Sequence, residues 1–596
     1  DGDGEPDAEA ETDATGGVGS SNTVDAQSQS KAENGSDAGN SPSTEDGLDG
    51  ENGPDASDAD EVMDGGARGT QRASPLDASS DNDAKAGDPI SDDEGQLGSL
   101  LLSGPELGTF AKAPLARELR LATSEPTTVD VVIERDGCVE WQRDFDTLAT
   151  SHALPLLGFT PDETYTARVT LRTAGGESAQ ISEPLTIDTD PLPDDWPPMQ
   201  VLTSKPAQME PGYTLFSPRS RTGGTSYIVV VNASGEPVWY TDRGTNDARQ
   251  MPGGNILFIG SNDLRLMNMY GQELQTWHGT RESAPTEESI RVDAPLFHHE
   301  IFPMESGNFL SLSRRARDVA RYPTSYKDLE STGSASVLDE LVVEFVPETG
   351  EAVHLYSLHD ILDPTRIGYD SLTDRYGGLD WGHANGVIHD PSDDSFIVSL
   401  RHQDAVVKIT RATGDLVWIL GSHDNWDAEF QSYLLSPVGP RFEWSFHTHA
   451  PQVTSSGTLM LFDNGNGRAL PPNGRIPAED RYSRAVEYAI DPQAMTVSQV
   501  WEYGVDADER LYSSFVSDAN AMPSTGNALI TFGALAYVDG DPVDTNSDNN
   551  YAARIIEVTR DAEQTKLFDL LIDDGVDDRG GWTVARAVRF SSLYGD

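Results

Sequence analysis

From about residue 201 to its end the chain repeats one pattern. Each unit has an opening strand, a turn of Gly, Asn or Asp, two apolar strands and a last strand often ending in Trp. SYIVVVNASGEPVWYTD, NILFIGSNDLRLMNMYGQELQTWHG and SFIVSLRHQDAVVKITRATGDLVWILG show the later part of the unit. The repeats fall at spacings of roughly 45 to 80 residues, within or above the range of propeller blades. Helical periodicity is weak throughout, so a repeating four-stranded unit leaves few architectures open. Six such units predict a β-propeller over residues 201–596, with the final ARAVRFSSLYGD supplying a strand that closes the ring.

The preceding chain reads differently. Over residues 101–190 short alternating strands such as ELRLAT, TVDVVIER and TYTARVTLRT appear, and Leu157, Pro161 and Tyr165 resemble the tyrosine corner of immunoglobulin and fibronectin-like domains. This predicts a β-sandwich, followed by a stiff proline-rich linker over 191–200. The fold class expected is therefore all-β: a six-bladed propeller preceded by an immunoglobulin/fibronectin-like sandwich and an acidic leader. The leader spans residues 1–100. Its first 98 residues carry 26 acidic and 4 basic side chains and no aromatic residue, too little apolar area to offset chain entropy, so disorder is expected. A spacer lifting the folded part off a surface fits it.

Composition excludes several partners. A formal net charge of −59 disfavours nucleic acid and anionic membrane surfaces. The single cysteine, Cys138, rules out an internal disulfide and a cysteine-built zinc site. No apolar run reaches the roughly 18 residues of a membrane-crossing helix.

Ten of the twelve histidines lie between His298 and His449. In FHHEIFPMESGNF, His299 precedes the turn residue Gly307 by eight positions, and in FHTHAPQVTSSGTL His449 precedes Gly457 by the same eight. His383, in DWGHANGVIHDPSDDSF, opens the blade between them. Three consecutive blades thus start their innermost strand with an imidazole, and innermost strands line the central channel. With Arg401 and Asn385 in the middle blade, this constellation suits a tetrahedral oxyanion. Arginine offers a rigid fork of donors, and imidazole can donate, accept or attack.

DWGHANGVIHDPSDDSFIVSLRHQDAVVKI, then GDLVWILGSHDNW and THAPQVTSSGTLMLFDNGNGR, resemble the bacterial arylsulfate sulfotransferase family over most of residues 201–596. The resemblance implies sulfuryl transfer from a phenolic sulfate ester to a phenolic acceptor, without a nucleotide donor, by a ping-pong route through a sulfohistidine. It assigns His449 as nucleophile, with His383, Arg401 and His299 catalytic and Asn385 and His298 substrate-binding; either His383 or His299 would protonate the leaving phenoxide. Ser517, in ERLYSSFVSDAN, matches a family loop carrying a substrate-facing hydroxyl. Neither cofactor nor metal is implied, the partners are a small aryl sulfate and a phenol, a homodimer is allowed, and the setting is extracytoplasmic.

His447 competes with His449 as nucleophile, since strand alternation could place both on one face. His389, His402 and His423 are expected to make structural hydrogen bonds, and the acidic run from Asp541 to Asp548 to be a solvated loop. Two other functions compete: a metal-dependent propeller lyase with His299, His383 and His449 as ligands, and a surface-tethered binding propeller without turnover.

Overall fold

The computed structural model describes residues 100–595, except 282–284, 287, 506–509, 539–540, 544–549 and 576–579. The acidic leader, save its last residue, and most of the acidic segment after Asp541 lie outside the described residues.

Among the described residues, six four-stranded antiparallel units follow one another from residue 199, the first and sixth joined in one nine-stranded sheet and three others carrying short extra strands. The third consists of His298–Pro303, Phe309–Pro323, Thr332–Phe345 and Ala352–Ser357. The fourth consists of Ala384–Asp390, Ser395–Leu400, Ala405–Thr410 and Leu416–Gly421. The fifth is His449–Val453, Leu459–Asp463, Arg484–Asp491 and Thr496–Tyr503. First strands of successive sheets touch, 298–303 against 384–390, 384–390 against 449–453, and 449–453 against Asp518–Ala521. The last of these touches Gly580–Phe590, which meets Ala248–Gln250 of the second sheet, and that sheet returns to 298–303. The circuit closes. It is a six-bladed propeller.

Two clasps hold the ring. Gly580–Phe590 pairs antiparallel with Tyr213–Ser220 and becomes the innermost strand of the first blade, as the sequence pattern requires. Met199–Ser204, which begins inside the expected linker, pairs with Lys566–Ile572 at the outer edge of the sixth blade. The linker is docked, since Trp196 packs between Tyr227 and Tyr240, and Asp195 accepts a 2.6 Å hydrogen bond from the Tyr227 hydroxyl.

In the N-terminal domain, Arg117–Arg135 alternates buried Leu119, Leu121, Val129, Val131 and Ile133 with exposed or half-exposed neighbours. Period-two alternation puts all five on one face. The strand pairs along its length with Cys138–Leu156, with Leu101–Thr109 beside its first half and Thr164–Thr173 beside its second. Where a sandwich has two separate sheets, hydrogen bonding here is continuous; an irregularity between Ala122 and Thr127 lets both halves close on one core. The buried Tyr165 hydroxyl accepts the Thr160 N–H at 3.0 Å, the tyrosine-corner contact. This domain shares a core with the first and second blades through Leu157, Leu215 and Leu593.

Candidate active site

The innermost strands of the third, fourth and fifth blades share a local device. Each has a register irregularity near its start, between His298 and Ile301, Ala384 and Gly386, and His449 and Gln452. A bulge bends a strand and re-aims the side chains beside it. His299, His383 and Ala450 take left-handed backbone at φ 59°, 45° and 52°. Such conformations are costly for non-glycine residues and persist where surrounding structure enforces them, often at functional sites. The glycine of the HANG segment is needed for packing: a Cβ on Gly386 would sit 2.6 Å from Pro451 Cδ in the next blade.

His299, His383 and His449 line one small cavity of about 20 Å³, with Asn246, Asn385, the 515–517 loop and Arg586. His299 and His383 meet edge to face at 5.0 Å, and His383 stacks on His402 at 4.7 Å. His298 lies behind His299, with their Nδ1 atoms 2.7 Å apart, and lines a second cavity that His299 also borders.

His449 is held in one tautomer. Its Nδ1 is 2.6 Å from Asn464 Oδ1, while Asn464 Nδ2 donates to the carbonyls of Ser513 and Val516 at 2.7 and 3.0 Å. The amide oxygen must therefore face the imidazole and accept its proton, which leaves the ring lone pair on Nε2. Burial, and then the Arg401 guanidinium, hold His449 well below its ordinary pKa, so the ring is neutral at pH 7.

Arg401 is itself oriented. Its Nη1 donates to His402 Nε2 at 2.8 Å and its Nη2 to the Ser514 carbonyl at 3.1 Å. His402 Nδ1 donates to the Asp380 carbonyl at 2.7 Å, so both its nitrogens are used in positioning, the hydrogen-bonding role expected of it. Asp380 Oδ2 also accepts from His383 Nδ1 at 2.7 Å, with both groups buried.

His447 faces away from this chemistry. Its Nδ1 lies 2.8 Å from Asp404 Oδ1 and its Nε2 3.3 Å from Asp370 Oδ2. Burial opposes its charge, yet Asp404 and Asp370 prevail over Arg401 and raise its pKa. A cationic ring with both nitrogens on carboxylates has no lone pair to attack with. His389 and His423 bond Asp394 and the Leu435 carbonyl, each at 2.9 Å.

Asn385 and Ser517, the expected substrate contacts, both line the small cavity and are held by hydrogen bonds. Asn385 donates through Nδ2 to the Thr448 carbonyl at 2.9 Å, and its buried Oδ1 has no partner among the described residues, so it presents an acceptor as well as its second N–H. The Ser517 hydroxyl is 2.9 Å from Ser513 Oγ and accepts the Gly533 N–H at 3.0 Å. It secures the 513–517 loop from within and borders the same cavity as His449.

Several residues escaped sequence reasoning. Asn464 stands in the FDNG segment and Asp380 three residues before His383; their proximity to motif histidines was the available signal. Arg586 comes from the closing strand, donates to both Glu300 oxygens and to the Asn385 carbonyl, and borders the small cavity. Burial pushes Glu300 up to about 7 against Arg586 and Arg249. Among the described residues, Asp380, His383 and His402 offer ligand atoms within 4.8 Å of one another, a set holding only one of the three channel histidines.

A family model described as Arylsulfotransferase (ASST) matches residues 199–579, well over half the chain. The chain belongs to the arylsulfotransferase family. The Arylsulfate sulfotransferase AssT of Escherichia coli O6:H1 is 37% identical over 177 residues, 26% of this chain and 29% of the relative. The Arylsulfate sulfotransferase AssT of Lelliottia amnigena is 35% identical over 153 residues, 23% of this chain and 25% of that one. The match thus spans under a third of these curated relatives' length. Among solved structures, the periplasmic gluconolactonase PpgL of Pseudomonas aeruginosa aligns at 10% identity and TM-score 0.28, over 77% of this chain and all of its own. No helix among the described residues is long and apolar enough to cross a membrane.

Proposed function

We propose that this family member transfers a sulfuryl group from a phenolic sulfate ester to a phenolic acceptor through a covalent intermediate on His449. The observation that carries the proposal is the 2.6 Å contact of His449 Nδ1 with Asn464, which leaves a neutral Nε2 lone pair in the cavity shared with His299 and His383. In the first half-reaction Nε2 attacks sulfur as the S–O bond to the aryl group breaks. The departing phenoxide takes a proton from His383. In the second, His383 takes the acceptor's proton, the phenol oxygen attacks sulfur, and the S–N bond breaks. Splitting the transfer in this way is the logic of nucleophilic catalysis and produces ping-pong kinetics.

Arg401, whose charge acts on His449, takes the role of neutralising charge on the sulfuryl oxygens, as cation donors do in the related phosphoryl transfers. His383 is preferred over His299 as the acid because the Asp380 carboxylate 2.7 Å away compensates the ring when it carries both protons. His299 and Asn385 complete the hollow. An extracytoplasmic setting is part of the same proposal, supported by family membership and by the acidic leader.

Intact-mass measurement after brief exposure to phenyl sulfate tests the intermediate. One added SO₃ group on the wild-type chain, lost in His449→Asn along with transfer, is the expected result. Full transfer by His449→Asn would refute it.

A further inference from the structure

The cavity that holds His449 is about 20 Å³, far below the roughly 300 Å³ or more of pockets that enclose a whole small-molecule ligand. The ring of any aryl sulfate must therefore lie outside it. Next to it, sharing Asn246 and His299, is a cavity of about 400 Å³. Among the described residues, its lining contains three arginines, Arg219, Arg281 and Arg314, and no carboxylate. In a chain of net charge −59, a hollow lined only by positive formal charge is not what random surface composition supplies.

Arg314 is the residue that gives this charge a direction. It is 8% exposed, and its Nε has no hydrogen-bond partner among the described residues. Its guanidinium lies 3.5 Å from the centre of the Tyr376 ring, which fixes the plane of the fork. Glu340 lies opposite it across the sheet; burial and then Asp380 raise that carboxyl, Arg314 draws it down, and it also lies 3.3 Å from His298 Nε2. A buried guanidinium with an unpartnered Nε gains from an anion that completes its fork. Leu296, Ile259 and Tyr376 supply apolar wall for a ring.

We propose that the cavity beside His299 receives the aromatic ring of a substrate bearing a second anionic group, a carboxylate or a further sulfate, which Arg314 binds. Arg281 and Arg219 line the same cavity and reinforce the selection. This rests on the proposed sulfuryl transfer and names the substrate class for it: phenols and aryl sulfates that already carry a negative charge away from the reacting oxygen. A charge-assisted fork contact of this kind discriminates an acid from its uncharged isostere by about tenfold or more.

The test compares 4-hydroxybenzoate with 4-hydroxybenzamide as acceptors, using one common aryl sulfate donor. The wild-type chain should favour the acid by about tenfold in kcat/KM, and added salt should shrink the preference. Arg314→Gln should bring the ratio of acid to amide close to one, and Arg281→Gln, at an exposed position tolerant of change, should lower it. Equal use of acid and amide by the wild type, or a ratio unmoved in both variants, would overturn the proposal. Calorimetric binding of the two compounds reads the cavity independently of turnover. Tighter binding of the acid, lost in Arg314→Gln, would support the cavity's role even if no sulfate moved, in which case the proposed transfer alone would fall.

Discussion

His449 donates its Nδ1 proton to Asn464 Oδ1 at 2.6 Å, and Asn464 cannot turn over because its amide nitrogen is bonded to two carbonyls of the 513–516 loop. One amide therefore decides which nitrogen of the imidazole is nucleophilic. Asn464→Leu removes the acceptor and lets the ring choose its tautomer, and kcat should fall on the order of 10²-fold, with some loss of stability because two loop carbonyls lose their donor. Asn464→Asp places an anion beside the ring and favours the imidazolium, so the acid limb of the pH–rate profile should move up toward neutrality. An unmoved limb in Asn464→Asp would show that another group sets it.

Arg401 owes its orientation to His402 at 2.8 Å, and His402 owes its tautomer to the Asp380 carbonyl. Arg401→Gln should cost about 10²- to 10³-fold in kcat, the scale of losing one preorganised charge donor. His402→Leu should reproduce part of that loss without changing KM in proportion, and His402→Gln, which restores an acceptor, should recover some of it. Equal activity of the two His402 variants would mean the ring acts by packing alone.

The carboxylate of Asp380 touches His383 at 2.7 Å. If His383 delivers the proton to the leaving oxygen, Asp380→Asn should slow donors with basic leaving groups, such as phenyl sulfate, by about 10²- to 10⁴-fold. 4-Nitrophenyl sulfate, whose phenoxide leaves unaided, should lose much less. The same loss on both donors would assign the proton to another residue.

His447 sits between Asp404 and Asp370 with its folded pKa raised above the ordinary 6.5. A raised folded value stabilises fully below the unfolded pKa, and the contribution fades as pH rises through the folded value. The difference in unfolding free energy between wild type and His447→Gln should thus be largest below about pH 6.5 and shrink on going alkaline. Urea titrations across that range measure it. A difference that grew with pH would contradict the charged ring.

Gly533 lies where the sixth blade meets the closing strand, and a Cβ there would be 1.9 Å from the Val584 carbonyl oxygen. Its N–H also holds Ser517 Oγ. Gly533→Ala should destabilise the chain by about 1–3 kcal/mol, the usual cost of forcing extra volume into a packed site. Thermal unfolding at fixed pH would report it, and a neutral result would mean the two strands can separate.

The propeller was legible because its signal is local. Strand period, turn residues and repeat spacing lie within a few tens of residues, and so does the offset placing His299 and His449 eight positions before Gly307 and Gly457. The long strand Arg117–Arg135 was visible as alternation, but not its bend, which depends on what pairs on either side of Ala122. Arg586 was unreadable as a site residue, since it meets the Asn385 carbonyl across 201 positions of sequence.

The order of residues by itself determined an all-β chain, a ring of repeated sheets and three imidazoles at equivalent places in it, because periodicity and turn chemistry act between near neighbours. Only the closed ring decided what those imidazoles are. His447 and His449, two residues apart, become a doubly carboxylate-bound cation and a neutral nucleophile according to what neighbouring strands and loops present to each. Protonation depends on burial and on charges within a few ångströms, and those distances exist only after distant segments have met.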